Sequence, residues 1–206
     1  MKALVEAAAA RSVPRETMAR LEAYVALLLE ENDRQNLISK TSADQIWGRH
    51  IADGAQLIRF APRPDSSWVD IGSGAGLPGM VIAILCEGPV TLVEPRKLRA
   101  DFLGRVAERL ELSERVIIRA AKAERIAGKF DVITARAVAS IDVLLSISRH
   151  LSTDKTIWLF PKGKSAQLEL VEARRAWQGC FRLEPSVTSR EAAILVASDV
   201  RRKGRG

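Results

Sequence analysis

The stretch Asp70-Ile71-Gly72-Ser73-Gly74-Ala75-Gly76-Leu77-Pro78-Gly79 decides the reading of this chain. It lies between an apolar run, Trp68 to Ile71, and a second one, Met80 to Cys86. Three glycines at alternate positions let the backbone turn tightly and approach a ligand without Cβ clashes. Pro78 suits the first turn of a helix, where its missing N–H costs nothing. The spacing predicts a strand over Trp68 to Ile71, a glycine-rich loop, and a helix from about Pro78 to Cys86.

Outward from the loop, strand and helix patterns alternate. Val90 to Val93, Val116 to Arg119, Phe130 to Thr134 and Thr156 to Phe160 read as strands. Lys97 to Leu110 and Ile141 to Leu151 read as helices. Near the end, Phe181 to Val187 and Ala192 to Ala197 are expected to pair antiparallel across a connection carrying Thr188 to Glu191. This alternation gives an α/β, Rossmann-like fold with a mostly parallel sheet and helices on both faces. In such sheets ligands bind at the carboxyl ends of the strands. Before the loop the texture is helical. Met18 to Glu31 places Leu21, Tyr24, Val25, Leu28 and Leu29 at helical spacing. A second helix is expected from Ser42, as its cap, to Phe60, with Ile46, Trp47, Ile51, Leu57 and Ile58 on its apolar side. Pro62, Arg63, Pro64 and Asp65 break the pattern. The expected division is a helical cap over residues 1–62, an α/β domain over 63–200 and a basic tail over 201–206.

The ligand follows from two acids. Gly74, Gly76 and Gly79 satisfy GxGxxG, so spacing alone leaves NAD open. Glu94 closes the second strand about 20 residues beyond the loop, where a carboxylate accepts ribose hydroxyls. Asp70 at the end of the first strand suits a ligand carrying an amino group and repels a pyrophosphate. Its plainer role is to cap the loop. Asp70, Gly72, Gly74, Gly76 and Glu94 together favour S-adenosylmethionine as cofactor over NAD. Ala123 and Glu124 follow the third strand, on the adenine side of methyltransferase folds, and could equally start a helix. Arg136 follows the fourth strand, where methyl donor meets acceptor. It can fix a carboxylate or phosphate, or form a surface salt bridge.

Composition bounds the rest. The chain has 206 residues, 47% of them hydrophobic, and a formal net charge of +7. That material supplies one full-sized core and excludes global disorder. Residues 1–60 carry eight basic and eight acidic side chains, so the later 24 basic and 17 acidic residues supply the excess. A polyanionic partner is expected from such a surplus. Ala3 to Ala10 reads as a helix start rather than a signal segment, since Glu6 interrupts it. Two cysteines without CxxC and two histidines exclude a disulfide framework and a zinc ribbon, and no metal site is expected. No Asn/Asp-Pro-Pro-Tyr/Phe tetrapeptide occurs, and Cys86 and Cys180 read as packing residues rather than nucleophiles. Without a visible base, the site fits an acceptor that already has a lone pair, such as guanine N7.

Asn36-Leu37-Ile38, Arg49-His50-Ile51-Ala52-Asp53, the glycine stretch, Ala123-Glu124 and Phe130-Asp131-Val132-Ile133-Thr134-Ala135-Arg136-Ala137 occur in this order. This set resembles the RsmG family, also called glucose-inhibited division protein B, bacterial 16S ribosomal RNA guanine-N7 methyltransferases. The resemblance runs from about Leu21 to Ala197. It implies that Gly72 and Leu77 contact S-adenosylmethionine, that Ala123 and Glu124 lie on the adenine side, and that Arg136 completes the site. It also implies that Arg49, His50, Asp53 and Lys162 belong to the RNA-facing or catalytic pocket. Arg49 and His50 lie four and three residues before Asp53, so one helix face can present all three, or hold them as a local ion pair. Lys162 and Lys164 at the ligand edge can bind phosphate or remain solvated, and Arg96, Lys97 and Arg99 can extend the basic surface. Two positions depart from the family: Lys122 replaces an arginine and Glu31 an aromatic. The first bears on an RNA or cofactor contact, the second on packing of the cap.

The expected protein is thus a cytoplasmic, monomeric enzyme without a membrane segment, acting on 16S rRNA in a small subunit or its assembly intermediate. Arg136 and Lys162 are the candidate catalytic residues. Two rivals are an NAD-dependent oxidoreductase and a non-catalytic RNA-binding ribosome-assembly protein.

Overall fold

The computed structural model describes residues 1–204; the end of the expected basic tail, residues 205–206, lies outside the described residues. Its centre is the strand β1 (Trp68–Ile71), buried along its whole length. It pairs in parallel with β2 (Val90–Val93) on one side and β4 (Val132–Thr134) on the other, with Trp68 opposite both Val90 and Val132. Beyond them lie β3 (Val116–Arg119) and β5 (Ile157–Lys162), also parallel. The sheet closes with β6 (Trp177–Pro185) and β7 (Ala193–Arg202), in the order β3-β2-β1-β4-β5-β7-β6, with β7 antiparallel to both its neighbours. The connections leave β1 toward β2 and later return to β4, which makes the carboxyl end of β1 the topological switch point.

Alternate residues of β1 face two cores. Trp68 packs with the N-terminal helices and the helices between the early strands, α5 (Gly79–Leu85) and α6 (Lys97–Arg109). Val69 and Ile71 pack with α7 (Ile141–Ser148) and α8 (Ala166–Ala176). All seven residues of α5 are buried, because the N-terminal helices cover the side turned away from the sheet. The chain opens with α1 (Lys2–Ala9) and α2 (Arg15–Gln35), and of these two it is α2 that packs on α5. Leu21, Tyr24 and Leu28 of α2 are fully buried, whereas Leu29 turns outward at 37% exposure. The Arg11 guanidinium donates to the Leu85 carbonyl at the end of α5. Glu31, at the position of the family's aromatic, accepts from Arg105 at 2.8 Å and so ties α2 to α6.

Several expectations are corrected. Instead of one helix from Ser42 to Phe60, the chain forms α3 (Lys40–Asp44), a π-helical turn (Trp47–Ala52), α4 (Asp53–Ala55) and a 3-10 turn (Gln56–Phe60). The cap is Ser39, whose hydroxyl accepts the Ser42 N–H, not Ser42 itself. The wide π turn re-aims side chains that a regular helix would place differently. Helix α8 escaped the sequence reading because only Ala166, Leu170 and Ala173 are buried on it. Strands β6 and β7 run longer than expected, and Arg201 and Arg202 lie inside β7 rather than in a tail. Cys86 is buried as expected of a packing residue, but Cys180 is exposed on β6. No helix among the described residues is long and apolar enough to cross a membrane.

Candidate active site

The expected donor side centres on the loop after β1. The Gly72 and Ser73 amides both donate to the Val93 carbonyl, at 2.8 and 3.0 Å, which fastens the loop to the end of β2. Gly72, Gly74 and Gly76 have φ of +68°, +55° and +93°, the left-handed region that glycine enters without strain. A Cβ on Gly76 would also lie 3.0 Å from the Tyr24 hydroxyl, which donates to the Ala75 carbonyl at 2.9 Å. The helical segment thus holds the loop directly. Glu94 is 4% exposed and accepts the Gly74 N–H through Oε2 and the Arg96 N–H through Oε1, each at 2.9 Å. Each oxygen keeps a second lone pair for a hydroxyl.

Asp70 is both cap and candidate ligand group. Its Oδ2 accepts the Gly79 N–H at 3.1 Å, while Oδ1 is buried with no partner among the described residues. Burial pushes this carboxyl up to about 6, against the pull of Ser73, the Gly79 amide and Arg136. A buried, unpartnered carboxylate oxygen beside a left-handed glycine loop fits an ammonium group, and with Glu94 it fits S-adenosylmethionine. Leu77 is buried in the core, so its side chain supports the loop from behind. Ala123 is buried in a 3-10 turn after β3, with Lys122 and Glu124 exposed beside it, two strands away from β1.

Arg136 stands two residues beyond β4, between this loop and a cavity of about 710 Å³. Its Nη1 lies 2.9 Å from His50 Nδ1 and donates to Asp53 Oδ2 and the Arg49 carbonyl, both at 3.2 Å. His50 in the π turn and Asp53 just beyond it thus meet at Arg136, while Arg49 contributes its carbonyl and lines the cavity. Burial, and next the Arg136 guanidinium, push the His50 imidazole down to about 4. Neutral His50 must accept at Nδ1, because a guanidinium only donates, so the proton is assigned to Nε2. That Nε2 is buried with no partner among the described residues.

The segment after Arg136 reaches back over the donor loop: a Cβ on Gly72 would meet Val138 Cγ2 at 2.6 Å. Its far end is held by Lys162, whose ammonium donates to the Ala139 carbonyl at 2.5 Å and pairs with Glu169 at 2.9 Å. Glu169 also accepts the Ile141 N–H and the Ser165 hydroxyl. Lys164 pairs with Glu191 at 3.0 Å across the exposed rim. All three carboxylates lining the cavity, Asp53, Glu169 and Glu191, are thus ion-paired.

The structure gathers Arg49, His50, Asp53, Arg136, Lys162 and Lys164 around one cavity and leaves Lys122, Ala123 and Glu124 apart from it. Sequence reasoning missed Tyr24 as a loop anchor, Glu169 as the partner of Lys162, and Gln56, Ser186 and Thr188 behind Asp53. Tyr24 is the only tyrosine of the chain and carried a signal; the others lay in stretches without a motif.

Residues 17–194 match the family model described as rRNA small subunit methyltransferase G (GidB). A ribosomal RNA small subunit methyltransferase G of Rhizorhabdus wittichii is 48% identical over 197 residues, covering 94% of this chain and 91% of the relative. Its counterpart in Zymomonas mobilis is 44% identical over 200 residues, covering 93% and 90%. Among solved structures, the B. subtilis tRNA methyltransferase TrmK superposes with a TM-score of 0.55 at 15% identity, covering 71% of this chain and 64% of that one. The ribosomal protein L11 methylase of Lactobacillus delbrueckii subsp. bulgaricus gives 0.55 at 16% identity, covering 76% and 80%. These two likenesses bear on the fold.

Proposed function

Because the chain belongs to the rRNA small subunit methyltransferase G (GidB) family, we propose that guanine N7 is its acceptor atom and that Arg136 positions the acceptor. The chain is an S-adenosylmethionine-dependent methyltransferase of small-subunit ribosomal RNA. The observation that carries the proposal is the absence of a free base among the described residues lining the cavity. Asp53, Glu169 and Glu191 are engaged by cations, and His50 accepts from Arg136 at the one nitrogen that could take a proton. Methylation of N7 uses a ring lone pair and releases no proton, so such a site needs alignment rather than deprotonation. The NAD reading is set aside, as is the non-catalytic one.

Asp70, with its unpartnered oxygen, and the Gly72–Gly76 backbone would hold the methionine end of the cofactor, and Glu94 its ribose. Ala123 and Glu124 are assigned to the adenine end. When bound, the cofactor supplies an electrophilic methyl group. All three Arg136 contacts use Nη1, so its Nη2 and Nε donors are the ones offered to guanine O6 or a flanking phosphate. Arg49, Lys122 and Lys164 are assigned to RNA phosphates, and the acceptor base must be unstacked or presented by the RNA fold. In this reading residues 1–62 form a cap that delivers His50 and Asp53 to the catalytic body of residues 63–200. One copy carries both the loop and the cavity, so the enzyme is taken to act as a monomer, in the cytoplasm where subunits assemble.

The test is the pH dependence of single-turnover methyl transfer to small-subunit particles. A rate that is flat from about pH 7 to about pH 8.5 is expected for a reaction without a general base. A rising limb in that range would contradict the proposal.

A further inference from the structure

Gln56 belongs to none of the sequence motifs, yet it is 1% exposed and fully hydrogen-bonded. Its amide nitrogen donates to Asp53 Oδ1 at 2.8 Å and to Ser186 Oγ at 3.1 Å. Its amide oxygen accepts the Val187 N–H at 2.9 Å, which fixes the orientation of the group. Thr188 Oγ1 adds a bond to Asp53 Oδ1 at 3.1 Å, and Ser186 and Thr188 both line the cavity. Asp53 Oδ2 receives Arg136. A buried amide is costly unless both of its ends are satisfied. Here they are satisfied by the two structures that bound the acceptor cavity, the Arg136 cluster and the Ser186–Thr188 turn.

We propose that Gln56 is a positioning residue for the methyl acceptor: by holding Asp53 and the β6–β7 turn at once, it sets Arg136 against the opposite wall of the cavity. The inference rests on the reading that Arg136 engages the acceptor. A Gln56 that merely joined the helical segment to the sheet would matter for stability and leave the folded enzyme's rate alone.

The variant Gln56→Glu separates the two roles. Its new carboxyl keeps the Val187 bond but places an oxygen where the amide nitrogen donated to Asp53. Two carboxylates at that distance do not both ionise. The charged and titratable groups around the position are Asp53, Arg136 and His50. The packed α1 carries Lys2 and Glu6, which pair with each other at 3.7 Å, and α5 and the Ser186–Thr188 turn carry none. Asp53 already accepts the Arg136 guanidinium through Oδ2, so the new carboxyl, which has no cation of its own, is the one that takes the proton, and its pKa rises above the ordinary range. Protonated, it donates to Asp53 as the amide did; ionised, it drives Asp53 away and releases Arg136.

Single-turnover transfer from labelled S-adenosylmethionine to small-subunit particles from a strain lacking the enzyme is measured well below each variant's unfolding midpoint. At about pH 6 Gln56→Glu should fall within about threefold of the parent, and at about pH 8.5 at least about tenfold below it, with cofactor affinity unchanged. Gln56→Leu should be about tenfold slower at both values, since it has no proton to lose. A Gln56→Glu to parent ratio that is the same at both pH values overturns the proposal, as does a loss of thermal stability alone in both variants. A parental rate in Arg136→Ala sinks the underlying reading of Arg136 instead.

Discussion

Arg136 and Asp53, 83 positions apart in the chain, meet at 3.2 Å with side chains only 17% and 14% exposed. The contact joins the loop beyond β4, beside the glycine loop, to the helical segment that lines the cavity. An arginine at the end of β4 alone is a mobile cation. Fixed by Asp53, His50 Nδ1 and the Arg49 carbonyl, it becomes a directed donor.

Arg136→Ala is therefore expected to lower kcat/KM for the particle substrate by about a hundredfold while leaving the far-ultraviolet circular dichroism unchanged. Arg136→Lys should recover little, because an ammonium cannot span His50 and Asp53 and still offer a planar pair of donors. Unchanged single-turnover rates in either variant would remove Arg136 from the mechanism.

Asp70 predicts a pH effect on cofactor binding. Its folded-state carboxyl, raised to about 6 by burial, is protonated at acid pH and ionises as pH rises through that value. Without ligand, the folded state holds this proton more tightly than the unfolded state. That stabilising contribution is full below the ordinary carboxylate pKa of about 4 and lost as pH passes about 6. An ammonium ligand prefers the ionised form, so cofactor affinity should fall below about pH 6. Calorimetric titration with S-adenosylhomocysteine across that range reads the effect. Asp70→Asn should bind more weakly and lose the dependence; an unaltered profile would show that another group titrates.

Tyr24→Phe removes the one hydroxyl that satisfies the Ala75 carbonyl from the helical side. Loss of such a buried bond should cost about 1 kcal/mol in denaturant unfolding. The Michaelis constant for the cofactor should rise with it, since the loop loses its anchor. A stability loss with an unaltered Michaelis constant would confine Tyr24 to packing.

Lys162 and Glu169 are 9% and 21% exposed, so this pair is shielded from water far more than Lys164 and Glu191 at the rim. Lys162→Ala strands a carboxylate that also caps the start of α7, and is expected to cost about 1–3 kcal/mol of stability. Lys164→Ala should leave stability within about 0.5 kcal/mol and weaken particle binding, by a factor that shrinks as salt rises. Equal effects of the two substitutions on unfolding would contradict the distinction.

How much of this was legible depended on how local each signal was. The Asp70–Gly79 loop, Glu94 and the strands around them are written in contiguous residues whose chemistry does not need a partner to be recognised. The position of Arg136 just beyond β4 was legible because a strand end is itself a position in the fold. Gln56, Thr188 and Glu169 were illegible: each is an ordinary polar residue until another segment folds against it, 130 positions away for the Gln56–Ser186 bond. The stretch from Ser42 to Phe60 misled because its apolar spacing is helical, while the outward bonds of Asp53 and Gln56 accompany a succession of different turns. On α8, exposed Leu168 and Val171 blurred the apolar stripe that would have announced a helix.

The most direct measurement is identification of the methylated nucleoside. Small-subunit particles and their extracted RNA, from a strain lacking this enzyme, are incubated with the purified protein and labelled S-adenosylmethionine, digested, and resolved by mass spectrometry. Label in 7-methylguanosine alone, at a single position, is the expected result, and it should disappear with Arg136→Ala. Label in any other nucleoside would contradict a site that aligns a guanine lone pair without a base.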